Sequence, residues 1–90
     1  MSEKKSTTVT PFWQLYAALP KEIQKLADKQ FDLFLLNPNH PSLGFKRKGN
    51  IYTAEVGRSY RAVARKRGDT YYWFWIGSHE EYNKLLRRVM

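Results

Sequence analysis

Cysteine is absent from this 90-residue chain. That excludes disulfides and thiolate metal sites, and it fits a reducing compartment. No apolar run approaches the ~20 residues that a membrane-spanning helix needs. The N-terminal M-S-E-K-K-S-T-T has no apolar signal-peptide core, so no membrane association is expected and the expected location is the cytoplasm. Histidine is scarce: His40 and His79 have neither cysteine nor clustered acids as companions, so no metal site and no cofactor is expected. There is no glycine-rich phosphate loop, no internal repeat and no low-complexity stretch. Acidic residues are outnumbered, 8 against 16 lysines and arginines, which leaves a formal net charge of +8.

What is present is concentrated in two kinds of residue. Aromatics make up 16 % of the chain. A chain this short buries only about two-thirds of its unfolded surface, so large rings are what can make its core dense. The basic residues are segregated: Lys46, Arg47, Lys48, Arg58, Arg61, Arg65, Lys66 and Arg67 share the window 46–67 with a single acid, Glu55. A charge run is usually a solvated face, but segregation this strong makes a one-sided field that concentrates phosphates or acidic proteins.

Periodicity divides the chain into an unclassified polar segment, 1–9, frayed or in a short edge strand, and a single domain, 10–90. Thr10-Pro11 reads as a helix start, with Thr10 as N-cap, and Leu19-Pro20 as its end. A second helix is expected over 20–36, with Ile23, Leu26, Ala27, Phe31 and Phe34 on one face. N-P-N-H-P at 37–41 is loop. From there the period is two. Strands are expected over 43–48, 51–56, 60–67 and 70–76, with turns at Gly49-Asn50 and Gly68-Asp69. A short helix over 80–88 closes the chain. The expected fold is α+β: two N-terminal helices on one face of a four-stranded antiparallel sheet, with a short C-terminal helix.

Alternation then assigns faces. Arg61, Val63, Arg65 and Arg67 share one, the outer and wet one; Tyr60, Ala62 and Ala64 share the helix-covered one. In the last strand Tyr71, Trp73 and Trp75 are expected on one face, with Tyr72, Phe74 and Ile76 on the other. Counting about the Gly68-Asp69 turn pairs residue 61 with about 76, and so puts Arg61 close to His79. The candidates for chemistry follow. His79 is a proton-transfer residue near neutral pH, although a lone histidine is more often an N-cap or a surface residue. Arg61 can grip a phosphate in bidentate fashion; its alternative is cation–π packing on Trp73 or Trp75. Tyr82 either stacks on a base or hydrogen-bonds the substrate, or packs the helix on the sheet. Lys46, Lys48, Arg58 and Arg65 can line a phosphate track, or serve as edge charges that discourage aggregation. Glu55 reads as a structural ion-pair partner first and as a base second.

Four segments carry a family likeness: L-P-K-E-I at 19–23, N-P-N-H-P-S-L-G-F-K at 37–46, V-G-R-S-Y-R-A at 56–62 and W-F-W-I-G-S-H-E-E-Y at 73–82. With them the chain resembles the RelE/ParE superfamily of small toxins from toxin–antitoxin pairs, from about Thr10 to Leu86. The resemblance implies helices packed on a twisted antiparallel sheet and an antitoxin partner. Many members cut mRNA at the ribosome without metal, by attack of the RNA 2′-hydroxyl on the adjacent phosphate. It further implies that Arg61 matches the arginine gripping the scissile phosphate, that His79 takes the place of a basic residue at the end of the last strand, and that Tyr82 takes that of a C-terminal aromatic. Lys46 and Lys48 are similar to basic residues on the first meander strand. The family's N-terminal strand is not legible in the polar S-T-T-V-T. The expected function is thus a ribosome-dependent mRNA endoribonuclease toxin. The alternatives are a gyrase-poisoning toxin without catalysis, and a non-toxic RNA-binding homologue using Trp73, Trp75 and Tyr82 as stacking platforms.

Overall fold

The structure, a computed structural model, describes residues 5–8 and 10–89. Five strands and three helices follow one another as β1 (Lys5–Thr8), α1 (Thr10–Ala17), α2 (Lys21–Leu36), β2 (Lys46–Lys48), β3 (Ile51–Val56), β4 (Tyr60–Arg67), β5 (Thr70–Ser78) and α3 (His79–Val89). Strands β2 to β5 form the expected antiparallel meander. The sheet order is β1-β5-β4-β3-β2, and β1 adds a fifth, parallel strand beside β5. Part of the polar segment 1–9 is therefore an edge strand; the rest of that segment lies outside the described residues.

The two N-terminal helices form where the apolar stripes and the Pro20 break place them. Helix α1 begins at Thr10 itself, so this residue stands inside the helix and not at the N-cap. Gln24 Nε2 donates to the carbonyls of Tyr16 (3.0 Å) and Leu19 (3.3 Å), which satisfies the open C-terminal end of α1. Tyr16 Oη donates to Asp28 Oδ1 at 2.7 Å and ties α1 to α2. That hydrogen bond holds the phenol proton and raises the Tyr16 pKa above its ordinary value, with burial and the Asp28 charge adding to it. Gln30 Nε2 reaches across to the carbonyls of Ser42 (3.0 Å) and Glu55 (2.9 Å), anchoring α2 to β3.

The stripe on α2 packs where expected. Ala27 and Phe34 are buried with Ala54, Val56, Ala62, Ala64, Tyr71 and Trp73, and Ile23 and Phe31 flank them. Leu26 departs from the expected stripe and stays 38 % exposed. Phe34 is the hub. Its ring meets Phe45, Tyr71 and Trp73 edge-on at 4.9, 5.5 and 5.4 Å between centroids. Such T-shaped pairs add to the burial of the rings themselves.

Three expectations are corrected. The first meander strand is only Lys46–Lys48. His40 Nδ1 accepts from the Ser42 backbone N–H at 3.2 Å and caps a 3-10 turn over Pro41–Leu43, which removes Leu43 from any strand. The sheet is covered on both faces and not on one. Helix α3 lies over Ile51 and Val63, and Phe74, Trp75, Leu85 and Leu86 pack around them. Val63 is accordingly fully buried on the face expected to be wet. Finally, Trp75 and Ile76 exchange faces. The β4–β5 register runs Ala64↔Trp73 and then Val63↔Trp75, so Phe74 is an extra residue in β5, a β-bulge. Beyond it Ile76 joins Tyr71 and Trp73 in the core under α2, and Trp75 turns to α3.

Among the described residues no helix is long and apolar enough to cross a membrane. Phe34→Ala removes the ring on which the larger core converges, and it should cost about 3–5 kcal/mol of stability. Denaturant unfolding should show a lowered midpoint at unchanged slope.

Candidate functional site

The β4–β5 hairpin positions the site. Its two-residue turn places Gly68 at φ 62° with no left-handed conformation at Asp69, a pattern with glycine first that matches the strand twist. From this turn the ladder is regular up to the bulge at Phe74, which shifts the pairing by one. Arg61 therefore stands opposite Gly77 and not 76. Gly77 is required there by space. A Cβ at this position would lie 2.7 and 2.8 Å from Trp75 ring atoms and 3.0 Å from Glu81 Oε1.

The chain passes directly from β5 into α3, and Ser78 caps the helix. Its Oγ accepts from the Glu81 backbone N–H at 3.2 Å, and its own backbone N–H donates to Glu81 Oε1 at 3.1 Å. This is a reciprocal capping box. It relieves His79 of the capping role and leaves its side chain exposed. The His79 backbone N–H donates to the Ser59 carbonyl at 2.7 Å, so the start of α3 is tied to the β3–β4 turn.

The capped helix delivers Tyr82 onto the sheet, where it is only 4 % exposed. Four side chains surround its ring. The Arg61 guanidinium lies 5.4 Å from the ring centroid, Lys48 Nζ 5.9 Å, the His79 ring 6.0 Å and the Trp75 ring 6.5 Å. Arg61 thus stacks on Tyr82, not on Trp73 or Trp75. Lys48, Arg61 and His79, far apart in sequence, meet over one aromatic ring.

Arg61 is unusually placed for an arginine. Its Nε is buried with no hydrogen-bond partner. The nearest anion is Glu55, directly opposite in the β3–β4 ladder, with Oε2 3.7 Å from a terminal guanidinium nitrogen. That separation is an ion pair but too long for a hydrogen bond. An unsatisfied buried donor costs about 1–3 kcal/mol, and a cation–π contact returns about 0.5–2 kcal/mol. The guanidinium is held in place with hydrogen-bonding capacity left over. Chemically, the cluster offers a fixed anion binder, a second cation, an exposed imidazole and a carboxylate within one small region.

Other sequence candidates are not brought into this cluster. Lys46 lies on the same face but is exposed at the sheet edge, opposite Thr53. Arg58 is exposed in the turn between β3 and β4. Arg65 sits four residues along β4 from Arg61, with its guanidinium 5.5 Å from the Phe74 ring. The stacking platform expected from Trp73 is absent, because Trp73 is buried in the core. Tyr82 is a helix-to-sheet packing residue here, with its ring occupied by side chains. Glu55 is an ion-pair partner, the role that the sequence reading gave it first, and its pairing with Arg61 brings it into the cluster. The available signal was that it is the only acid in the basic window.

A family model for the ParE-like toxin domain matches residues 21–84, a span from α2 to α3 that contains Lys48, Glu55, Arg61, His79 and Tyr82. The chain belongs to the ParE-like toxin family, within the RelE/ParE superfamily of toxins of toxin–antitoxin systems. Solved structures share the fold. One is the RelBE2 toxin–antitoxin complex of Mycobacterium tuberculosis, at 16 % identity and TM-score 0.67, covering 87 % of this chain and 100 % of that one. A second is a free mutant form of the Escherichia coli toxin RelE, at 15 % identity and TM-score 0.67, covering 99 % and 100 %. The RelB–RelE complex of Methanococcus jannaschii matches at 19 % identity and TM-score 0.65, covering 87 % and 95 %. No curated protein matches the sequence significantly.

In this toxin domain the site depends on a close fit between Gly77, Trp75 and Glu81. Gly77→Ala should push the Trp75 ring and the capping carboxylate aside, destabilising the protein by about 1–3 kcal/mol. Thermal unfolding should show the loss, and tryptophan fluorescence should shift as Trp75 leaves its seat under α3.

Proposed function

We propose that this chain is a RelE-like toxin that cleaves mRNA at the ribosome without metal, and that a protein antitoxin neutralises it. The observation that carries the proposal is the Arg61 guanidinium, fixed on Tyr82 with a buried and unpartnered Nε, beside His79 and Glu55. The fold shared with toxins solved as RelB–RelE complexes supports the antitoxin partner.

In the proposed reaction the RNA 2′-hydroxyl attacks the adjacent phosphorus, forming a 2′,3′-cyclic phosphate and breaking the bond to the 5′-oxygen of the next nucleotide. Arg61 binds the non-bridging oxygens, its Nε finding there the acceptor it lacks, and Lys48 adds a second positive charge. Electrostatic stabilisation of this kind commonly supplies the largest single contribution to such a rate. Glu55, released from its loose pairing by the bound phosphate, takes the proton of the attacking hydroxyl. His79 gives a proton to the departing 5′-oxygen. Tyr82 is a positioning residue that holds both cations under α3. Lys46, Arg58 and Arg65 extend the phosphate track on the exposed surface. Among the described residues no group of three histidines or acids is arranged to hold a metal, and no step of this chemistry calls for one.

The rival reading is a gyrase-poisoning toxin, and the ParE-like family match is the observation that favours it. Induced expression separates the two. The ribonuclease reading expects growth arrest with mRNA cut inside codons, seen by primer extension. Arrest with intact mRNA and DNA double-strand breaks would establish the rival, and well-folded protein with no effect on growth would establish a non-toxic homologue. Arg61→Ala should lower the cleavage rate by roughly 10²-fold or more, equivalent to about 3 kcal/mol. His79→Ala should cost about 10²–10⁴-fold while leaving stability nearly unchanged, because the ring is exposed.

A further inference from the structure

Beyond the Tyr82 cluster, the β4–β5 hairpin carries an open concavity of about 700 Å³ lined by Asn50, Arg65, Lys66, Arg67, Tyr72 and Phe74. The β-bulge helps to make it. Because Phe74 is the extra residue, it and Trp75 both turn toward the α3 side of the sheet. Trp75 passes under the helix and Phe74 closes one wall of the concavity. Arg65 stands directly opposite Tyr72 in the ladder, with its guanidinium 5.5 Å from the Phe74 ring. Arg65, Lys66 and Arg67 are exposed, and among the described residues no acid pairs with them. The neighbouring Asp69 instead accepts from Thr70 Oγ1 at 3.5 Å.

A merely solvated charge run needs neither half-buried rings nor a cavity. Lys66 Nζ lies 5.5 Å from the Tyr71 ring, on the other face of β4, which leaves Arg67 as the exposed cation beside the aromatic and guanidinium planes. Single-stranded RNA uses such surfaces by stacking bases on the planes and pairing phosphates with the charges. The alternation of β4 also puts Arg65 and Arg67 on the same face as Arg61, with about 13 Å between Arg61 and Arg65 at the strand rise of ~3.3 Å per residue. That is a span of a few nucleotides, with the buried Val63 between the two arginines under α3.

We propose that this concavity is a second nucleotide-binding subsite, in which an unpaired RNA base stacks on Tyr72 beside the Arg65 guanidinium while Arg67 holds a flanking phosphate. The proposal rests on the RNA-cleavage reading and adds to it. The subsite holds the strand to one side of the scissile phosphate at Arg61, so RNA reaching both places binds more tightly than RNA reaching only one.

The test uses the full chain and 2′-O-methyl oligoribonucleotides, which cannot be cut because the attacking hydroxyl is blocked. Affinities for a trinucleotide and for a longer oligomer are measured by fluorescence anisotropy across a salt series. The double variant Arg65→Glu with Arg67→Glu should weaken binding of the longer oligomer by about tenfold or more, and that of the trinucleotide by clearly less, since it can use one of the two places only. The loss of the Arg67 phosphate contact should also flatten the salt slope by about 0.7. Tyr72→Leu, which removes the ring but leaves the charge unchanged, should weaken the longer oligomer by roughly 5–100-fold through lost stacking. Unchanged melting temperatures confirm that the variants fold. Wild-type affinity for the longer oligomer in both variants would overturn the proposal. So would equal wild-type affinity for the two lengths, or an effect of these substitutions confined to an acidic protein partner. Failure of the cleavage reading is visible separately, as intact mRNA on induction of the wild-type protein.

Discussion

One extra residue in β5 governs much of this molecule. Were Phe74 paired in register, β4 and β5 would continue in strict alternation, and Trp75 would enter the core beside Tyr71 and Trp73 while Ile76 faced outward. The bulge reverses both. Ile76 completes the core under α2, Trp75 provides the floor on which α3 rests, and Gly77 comes opposite Arg61, where a larger residue would collide with the Trp75 ring and the capping Glu81. A one-residue change of register sends every following side chain to the other face, so the placing of α3, and with it Tyr82 and His79, follows from this one irregularity.

The two faces of the sheet are therefore built differently. Under α1 and α2 the sheet contributes small residues, Ala54, Ala62 and Ala64, and the space they leave is filled by the rings of Phe34, Phe45, Tyr71 and Trp73. Under α3 the sheet contributes Ile51 and Val63 at the centre and cations at the margin. The second face is thinner and is held by a helix that is strongly basic at its end, with Arg87 and Arg88 in the last turn. Those arginines suit the negative end of the helix dipole.

The Tyr82 cluster joins stability to chemistry. Its ring is apolar enough to be buried and electron-rich enough to receive two cations, so it fastens α3 to the sheet and fixes Arg61 and Lys48 in the same act. Like charges brought this close repel one another, and Glu55 offsets part of that repulsion without fully satisfying Arg61. A phosphate arriving at this place would relieve both the repulsion and the orphaned donor.

The sequence by itself determined the elements, the meander, the basic window and the family. These rest on local properties: the 3.6 and 2.0 periods, Pro20, Gly68-Asp69, and side chains whose charge does not depend on context. It also brought Arg61 near His79, because a hairpin pairs residues by counting from its turn. The tertiary structure decided what counting could not reach. A bulge is invisible to alternation, so the faces of Trp75 and Ile76 were read in reverse and the partner of Arg61 was placed one residue short. Strand β1 is polar and is specified by pairing with β5, not by its own pattern. The burial of Tyr82 and Val63 depends on where a capped helix lands, and the company of Glu55 on which strand lies opposite. Each of these is a relation between segments distant in sequence, and burial and pairing are set by the partner as much as by the residue.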